Sequence, residues 1–179
     1  MNIKVLLSLF ILISNFICGN IEGKDITLNN APTQIYFSPN GGATYAIVRE
    51  LRKAKNEVLV QAYSFTSKEI AQALIDAHNR GVHTEIILDK SNRSTKYSAG
   101  DFTAHMRIPT YIDDTHAIAH NKIIIIDRDV VITGSFNFTK AAEKNNAENL
   151  VIFRSEELAR IYRDNWELHK RHSTTYAGR

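Results

Sequence analysis

Cysteine is nearly absent from the chain, which holds a single one, Cys18, among 179 residues. A lone cysteine cannot form an intrachain disulfide, so the fold does not depend on a disulfide framework. It also excludes a cysteine-based zinc site, and cysteine-based catalysis is not expected. The chemistry of this protein must come from other side chains.

Long apolar runs are also absent. Residues 5–17 are largely apolar and follow Lys4, but they are too short for a comfortable membrane span and have the length of a signal-peptide core. Small residues around Gly19 predict that residues 1–19 are a signal peptide with an approximate cleavage point. The protein is then expected to be secreted or periplasmic and to lack a stable membrane span. An uncleaved segment would instead anchor it to a membrane.

Neither charge sign is in large excess, since the formal net charge is +3 at pH 7. Such a charge permits binding to nucleic acid but does not demand it. No carboxylate cluster is spaced for Mg²⁺, so we expect no metal and no cofactor. There is no internal repeat, and residues 34–179 are expected to form one catalytic domain after an extended lead-in, residues 20–33.

What the chain has is a compact set of polar residues around an apolar run. His120 and Lys122 open residues 120–126, whose isoleucines predict a buried strand. Because side chains on a strand alternate between faces, the two are expected to point the same way. A neutral imidazole can attack phosphorus, an imidazolium can protonate a leaving oxygen, and an ammonium can bind phosphate oxygens. The pair suits a phosphodiester substrate.

The residues that follow add neutral groups and carboxylates. Ser135 and Asn137 are predicted at the end of the next strand, where they can donate hydrogen bonds to the same phosphate, and Gly134 permits a close backbone approach. Glu148 precedes a later apolar run and can hold an imidazole in one tautomer. Asp127, after the first strand, is predicted to be structural rather than catalytic.

Each residue alone has an ordinary explanation, because a single histidine on a strand is often structural. The complete pattern, H-x-K-x4-D-x6-G-S-x-N, is hard to obtain by chance. It resembles the signature of the phospholipase D superfamily, and the surroundings of Tyr63 and Glu148 extend the resemblance to its single-motif bacterial endonucleases. The resemblance covers roughly residues 34–170.

The resemblance implies a role for each residue of the pattern. His120 would be the nucleophile that forms a phosphohistidine. Lys122 and Asn137 would bind phosphate oxygens, with help from Ser135. Glu148 would hydrogen-bond the catalytic imidazole.

A second copy of the motif is missing. The resemblance implies two imidazoles in each active site, so a second chain must supply the other one. We therefore predict a homodimer with one composite active site on its two-fold axis. The histidines that lack a lysine two residues later are His78, His83, His105, His116, His169 and His172.

Alternating strand and helix patterns predict the α/β class, with a mixed β-sheet flanked by helices in an α-β-α sandwich of the phospholipase D type. Ser67 and Ser155 are predicted to cap two of the helices. Predicted strands are 34–37, 57–63, 84–88, 109–113, 120–126, 130–133 and 150–153, and predicted helices are 43–55, 68–80 and 156–170.

Two basic segments have different interpretations. Residues 90–100 are polar and carry one aromatic, so they either follow a phosphate backbone or form an ordinary solvated loop. Residues 169–172, His-Lys-Arg-His, predict a helix end that complements the helix dipole rather than a binding patch.

The leading hypothesis is a secreted, metal-independent endonuclease that cuts DNA, and RNA as a further substrate, with little sequence preference. The alternative is a phospholipase D acting on phosphatidylcholine-like lipids, which an apolar acyl-binding groove would favour. A third hypothesis is a catalytically silent nucleic-acid-binding module, against which the intact His120 and Lys122 argue, because binding alone needs no nucleophile.

Overall fold

The computed structural model describes residues 23–94 and 98–179. The predicted signal peptide and part of the segment 90–100 lie outside the described residues. The strands are β1 (Thr33–Ser38), β2 (Glu57–Ala62), β3 (His83–Asp89), β4 (Thr110–Asp113), β5 (Lys122–Ile126), β6 (Val130–Gly134), β7 (Glu148–Arg154) and β8 (Thr174–Tyr176). The helices are α1 (Ala43–Lys53), α2 (Lys68–Asn79), α3 (Ala99–His105), α4 (Lys140–Lys144) and α5 (Glu156–His172), and Lys90–Arg93 forms a 3₁₀ turn.

All eight strands join in one open mixed sheet, in the order β1-β7-β6-β5-β2-β3-β4-β8. Strands β2, β3 and β4 run parallel to one another, whereas β5, β6, β7 and β1 pair antiparallel in succession. The motif strand β5 lies between β2 and β6, in the interior of the sheet. The predicted mixed α/β fold is confirmed.

Helices pack on both faces of the sheet because its central strands are apolar on both faces. On one face, alternate residues such as Val60, Ile86 and Ile124 pack with the apolar stripes of α1 and α2. On the other face, Leu59, Ile87 and Ile125 pack beneath α5. The α5 residues in this second core are Leu158, Ala159 and Trp166. Among the described residues, no helix is long and apolar enough to span a membrane.

The predicted helix caps are confirmed. The Ser67 hydroxyl accepts a hydrogen bond from the Ile70 N–H at 3.3 Å, and the Ser155 hydroxyl accepts one from the Leu158 N–H at 3.2 Å. Each satisfies a donor that the first helical turn leaves without a partner. The caps therefore set where α2 and α5 begin.

The prediction that residues 120–126 form one strand is wrong at its beginning, because β5 starts at Lys122. The Asn121 carbonyl still accepts the Tyr63 N–H at 2.9 Å, but His120 lies before the strand. A side chain holds the incoming loop, since the Asp89 carboxylate accepts the Ala119 N–H at 2.8 Å. His120 is therefore exposed, two residues before the start of β5.

The segment 90–100 is not a simple solvated loop where it is described. Asn92 in the 3₁₀ turn is buried, and its amide nitrogen donates to the Tyr63 carbonyl at 2.7 Å. Three further elements, α3, α4 and β8, escaped prediction because they are short and lack a repeating apolar pattern. The predicted helix end at residues 169–172 is confirmed, since α5 ends at His172.

Asp127 fixes the connection between β5 and β6. Asp127 and Arg128 both have positive φ values, 52° and 61°, as a tight hairpin turn requires. The Asp127 carboxylate accepts three backbone N–H groups, from Lys55 at 2.9 Å, Asn56 at 2.7 Å and Glu57 at 3.0 Å. One side chain therefore ties the β5–β6 hairpin to the start of β2.

We expect Asp127→Asn to destabilise the fold by about 1–3 kcal/mol, because the amide replaces one of the two acceptor oxygens by a donor that faces N–H groups. Asparagine tolerates a positive φ, so backbone strain does not contribute. Urea unfolding at neutral pH would measure the difference. Asp129→Asn, in the same turn, is the matched control and should change stability by less than about 0.5 kcal/mol. Equal losses in the two variants would contradict the role of the Asp127 carboxylate.

Candidate active site

The residues of the motif meet at one end of the sheet because of strand direction. Strand β5 begins beside the end of β2, where Lys122 pairs with Ala62. Strand β6 runs back to the same end, and Gly134 pairs there with Leu150 near the start of β7. Antiparallel pairing thus brings the first residues of β5 and β7 to the last residue of β6. His120, Lys122, Ser135 and Glu148 gather at this end.

His120 and Lys122 are in direct contact, as their spacing predicted. Nζ of Lys122 lies 2.9 Å from Nδ1 of His120 and donates to its backbone carbonyl at 2.8 Å. An ammonium can only donate, so Nδ1 is the acceptor and a neutral ring in this position carries its hydrogen on Nε2. The imidazole is exposed while the ammonium is buried behind it.

Lys122 is only 5% exposed, on a charged side chain that is normally solvated. Burial lowers its pKa from the usual lysine value, and the carboxylate of Glu148 acts in the opposite direction. The ammonium is therefore poorly hydrated and poised for an anion. A phosphate that reaches this ammonium would therefore gain more electrostatic interaction energy than it would from a solvated lysine.

Tyr63 is a residue of the site to which sequence reasoning assigned no role. Its ring lies 4.4 Å from the imidazole of His120, centroid to centroid, and Nζ of Lys122 lies 5.1 Å from its centroid. Its signals in the sequence were the resemblance of its surroundings to the family and its position directly after β2. The ring packs against both members of the pair and limits their orientation.

Ser135 and Asn137 lie just after β6 rather than on it, in contrast to the prediction. The Ser135 hydroxyl accepts the Asn149 N–H at 3.0 Å and the Asn149 side-chain amide at 3.3 Å, which leaves its own O–H available to donate. Oδ1 of Asn137 is buried and, within the described part of the chain, has no hydrogen-bond partner. A buried acceptor of this kind is expensive unless a hydrogen-bond donor completes it, and the amide nitrogen of Asn137 is the group that can donate to a phosphate.

Gly134 must be glycine because two chain segments approach each other closely there. Its φ is +146°, and a Cβ at this position would lie 2.3 Å from the Asn149 carbonyl oxygen. That carbonyl accepts the N–H groups of Ser135 and Phe136, both at 3.1 Å. The glycine thus lets β7 approach the turn that presents Ser135.

The structure places the two predicted carboxylates differently. Glu148 opens β7 and accepts a hydrogen bond from the Asn146 amide at 3.1 Å. Among the described residues, no hydrogen bond joins Glu148 to His120, whose Nδ1 faces Lys122 instead. Asp127 lies at the opposite end of the five-residue strand β5, about 17 Å from Lys122 along the strand, where it accepts hydrogen bonds from backbone N–H groups.

The chain belongs to the phospholipase D superfamily of phosphodiesterases, because residues 47–169 match the family described as "Cardiolipin synthase, PLD-like domain". Among its relatives, the phospholipase D of Rickettsia prowazekii is 37% identical over 175 residues, which cover 90% of this chain and 85% of that protein. The phospholipase D of Rickettsia typhi is 46% identical over 130 residues, which cover 73% of this chain and 64% of that protein.

A solved structure is similar to nearly the whole domain. The phospholipase D family member Nuc from Salmonella typhimurium superposes with a TM-score of 0.79 at 36% sequence identity. The match covers 82% of this chain and 98% of that one. The resemblance read from the sequence is therefore confirmed at the level of family and fold.

Proposed function

We propose that the protein is a metal-independent endonuclease that hydrolyses DNA, and RNA as a further substrate, through a phosphohistidine. The contact between the exposed His120 and the buried Lys122 carries this proposal, because it joins a nucleophile to a poorly hydrated cation. The imidazole lies at an open end of the sheet. An internal phosphodiester of a long polymer can approach such a position without threading its ends.

The first step forms a bond between a ring nitrogen of His120 and phosphorus and breaks the bond from phosphorus to the leaving oxygen. His120 of the partner subunit, as an imidazolium, gives its proton to that oxygen. In the second step the same imidazole takes a proton from water, the water oxygen bonds to phosphorus, and the phosphorus–nitrogen bond breaks. The products are a phosphomonoester and an alcohol.

Lys122 would change partner when substrate binds. Its ammonium now occupies Nδ1 of His120, and a phosphate oxygen is a stronger acceptor for it. Once Nδ1 is released, it can carry the ring hydrogen and donate a hydrogen bond to Glu148. Nε2 is then unprotonated and free to attack phosphorus. Ser135 and Asn137 would donate to the remaining phosphate oxygens as charge develops on them.

A homodimer would complete this site. The described residues and the sequence offer one His120–Lys122 pair per chain, and the two-step reaction uses two imidazoles. Phe37, which pairs with Asn149 across β1 and β7, is exposed, and so is Ile118, two residues before His120. Exposed apolar side chains at the rim of the site support an interface there, with the two-fold axis passing between the pairs.

Phospholipase D activity on phosphatidylcholine-like lipids is the second candidate, and two observations favour it. The Rickettsia relatives carry that name. A groove of about 840 Å³ lies under α5, on the face of the sheet that carries Ile123 and Ile125, and reaches Asn121, the residue after His120. Its apolar residues include Ile26, Ile123, Leu158, Ile161, Tyr162 and Leu168.

We further propose that residues 1–19 are removed on export and that the mature chain is secreted or periplasmic. The composition of that segment supports this. Expression of the full chain in a bacterium with an outer membrane, followed by fractionation and intact-mass measurement, should recover a chain lacking about 19 residues outside the cytoplasm. Full-length protein retained with the membranes would instead identify an uncleaved anchor.

Purified protein should nick supercoiled plasmid in excess EDTA, because Lys122 and two imidazoles supply the charge stabilisation that a metal would otherwise provide. His120→Ala should lower the rate by at least about 10³-fold, and His78→Ala, on α2, is the matched histidine control. Phosphatidylcholine vesicles assayed in parallel separate the two substrates. Choline release without nicking would support the phospholipase D alternative. If a folded wild-type protein showed neither activity, both proposed phosphodiester hydrolyses would be contradicted.

The composite site can be tested by mixing differently tagged wild-type and His120→Ala chains and refolding them together. If each site needs His120 from both chains, the activity falls as roughly the square of the wild-type fraction, because mixed dimers are inactive. Independent sites would give a linear decrease. Affinity purification of the mixed dimer, with its mass confirmed by light scattering, allows the activity of this dimer to be measured directly.

A further inference from the structure

Four side chains outside the His120–Lys122 pair converge on one point. Asp113 ends β4 and His116 follows it by three residues, while His169 and His172 lie one turn apart near the end of α5. These four residues are called the histidine cluster below. Each offers one ligand atom, and the four atoms lie within 4.8 Å of one another. Three imidazole nitrogens and a carboxylate oxygen are a donor set that suits zinc.

One carboxylate oxygen of Asp113 contacts three imidazole nitrogens, which is more than it can accept hydrogen bonds from with good geometry. Oδ2 lies 3.0 Å from Nδ1 of His116, 2.8 Å from Nδ1 of His169 and 3.4 Å from Nε2 of His172. A carboxylate oxygen has two lone pairs, so three imidazole donors crowd it. A cation at the point of convergence would relieve this crowding, since each neutral ring would then offer a lone pair to the ion.

The carboxylate is already oriented for a single bond to such an ion. Asp113 is fully buried, and its Oδ1 is in contact with the Thr115 N–H at 3.3 Å and with His116. Orientation of a ligand by a neighbouring backbone group is common around metal ions.

The distances fit a tetrahedral site after small rotations. With metal–nitrogen bonds of about 2.0–2.1 Å, neighbouring ligand atoms lie roughly 3.3–3.4 Å apart. The contacts of Asp113 with the three rings are already close to that separation, and the ligand nitrogens of the rings lie no more than 4.8 Å apart. His116 is 45% exposed and His172 is 30% exposed, so both rings can turn and an ion can enter from solvent.

We propose that Asp113, His116, His169 and His172 bind one structural divalent ion of the zinc type. The site joins the end of α5 to the loop between β4 and β5, which leads to His120. That loop is held at two further points, where Nζ of Lys90 donates to the His116 carbonyl at 3.0 Å and the Asp89 carboxylate accepts the Ala119 N–H. The ion would stabilise the loop that carries the nucleophile without touching the phosphate.

The test uses the full chain, stripped of metal by chelator and titrated with zinc chloride by calorimetry. We expect one saturable site per chain and a rise in Tm of about 5 °C or more on saturation. Cobalt(II) gives an independent readout, since tetrahedral coordination by nitrogen and oxygen produces visible absorption bands that octahedral cobalt shows only weakly.

His116→Ala and His172→Ala should each weaken zinc binding by more than the roughly 10–100-fold that loss of an outer partner costs. His116 is half-exposed, so its variant should fold, as circular dichroism would verify. His78→Ala is the matched control and should bind as the wild type does. No saturable site, or binding that survives both cluster variants, would overturn the proposal. His120 and Lys122 are not ligands and activity is not a readout, so the proposed phosphodiester chemistry is judged separately.

Discussion

The register of β5 is the constraint on which the active site depends. Its four isoleucines are buried on both faces of the sheet, so burial alone does not distinguish one alignment from a shift by one residue. The polar residues at the two ends of the strand do distinguish them. At one end Asp127 takes the N–H groups that open β2, and at the other the Asn121 carbonyl takes the Tyr63 N–H. Together these contacts place Lys122 beside the end of β2.

Much of the fold could be predicted from the sequence, because its main elements carry local signals. Apolar runs mark β2, β3, β5 and β6, and serine caps mark the starts of α2 and α5. The failures occur where long-range contacts decide the structure. His120 opens the strand predicted from the isoleucine run, yet the loop before it is anchored by Asp89 and leaves the sheet. Strand β8 is only three residues long and forms because β4 offers it a free edge.

The site was predictable as a set of residues but not as a set of contacts. The motif spacing places His120 and Lys122 on one side, and the structure brings them together. The motif spacing does not reveal that the lysine faces Nδ1 or that Tyr63 packs against both residues. Nor does it reveal that Asn137 has a buried oxygen without a partner among the described residues. The histidine cluster escaped for the same reason. Two of its members were interpreted as a helix end, and only the pairing of β4 with its neighbours brings Asp113 to them.

The first and last strands, β1 and β8, are the two outer edges of the sheet. Seven inter-strand spacings of about 4.8 Å separate them, or roughly 34 Å in a flat sheet. Joining the end of the domain to its beginning would therefore need a connector of about ten extended residues that crosses a helical layer. In a circular permutant, this connector would pass over one of the two hydrophobic cores that flank the sheet. A tandem fusion of two copies escapes this requirement only if their symmetry brings β8 of one beside β1 of the other.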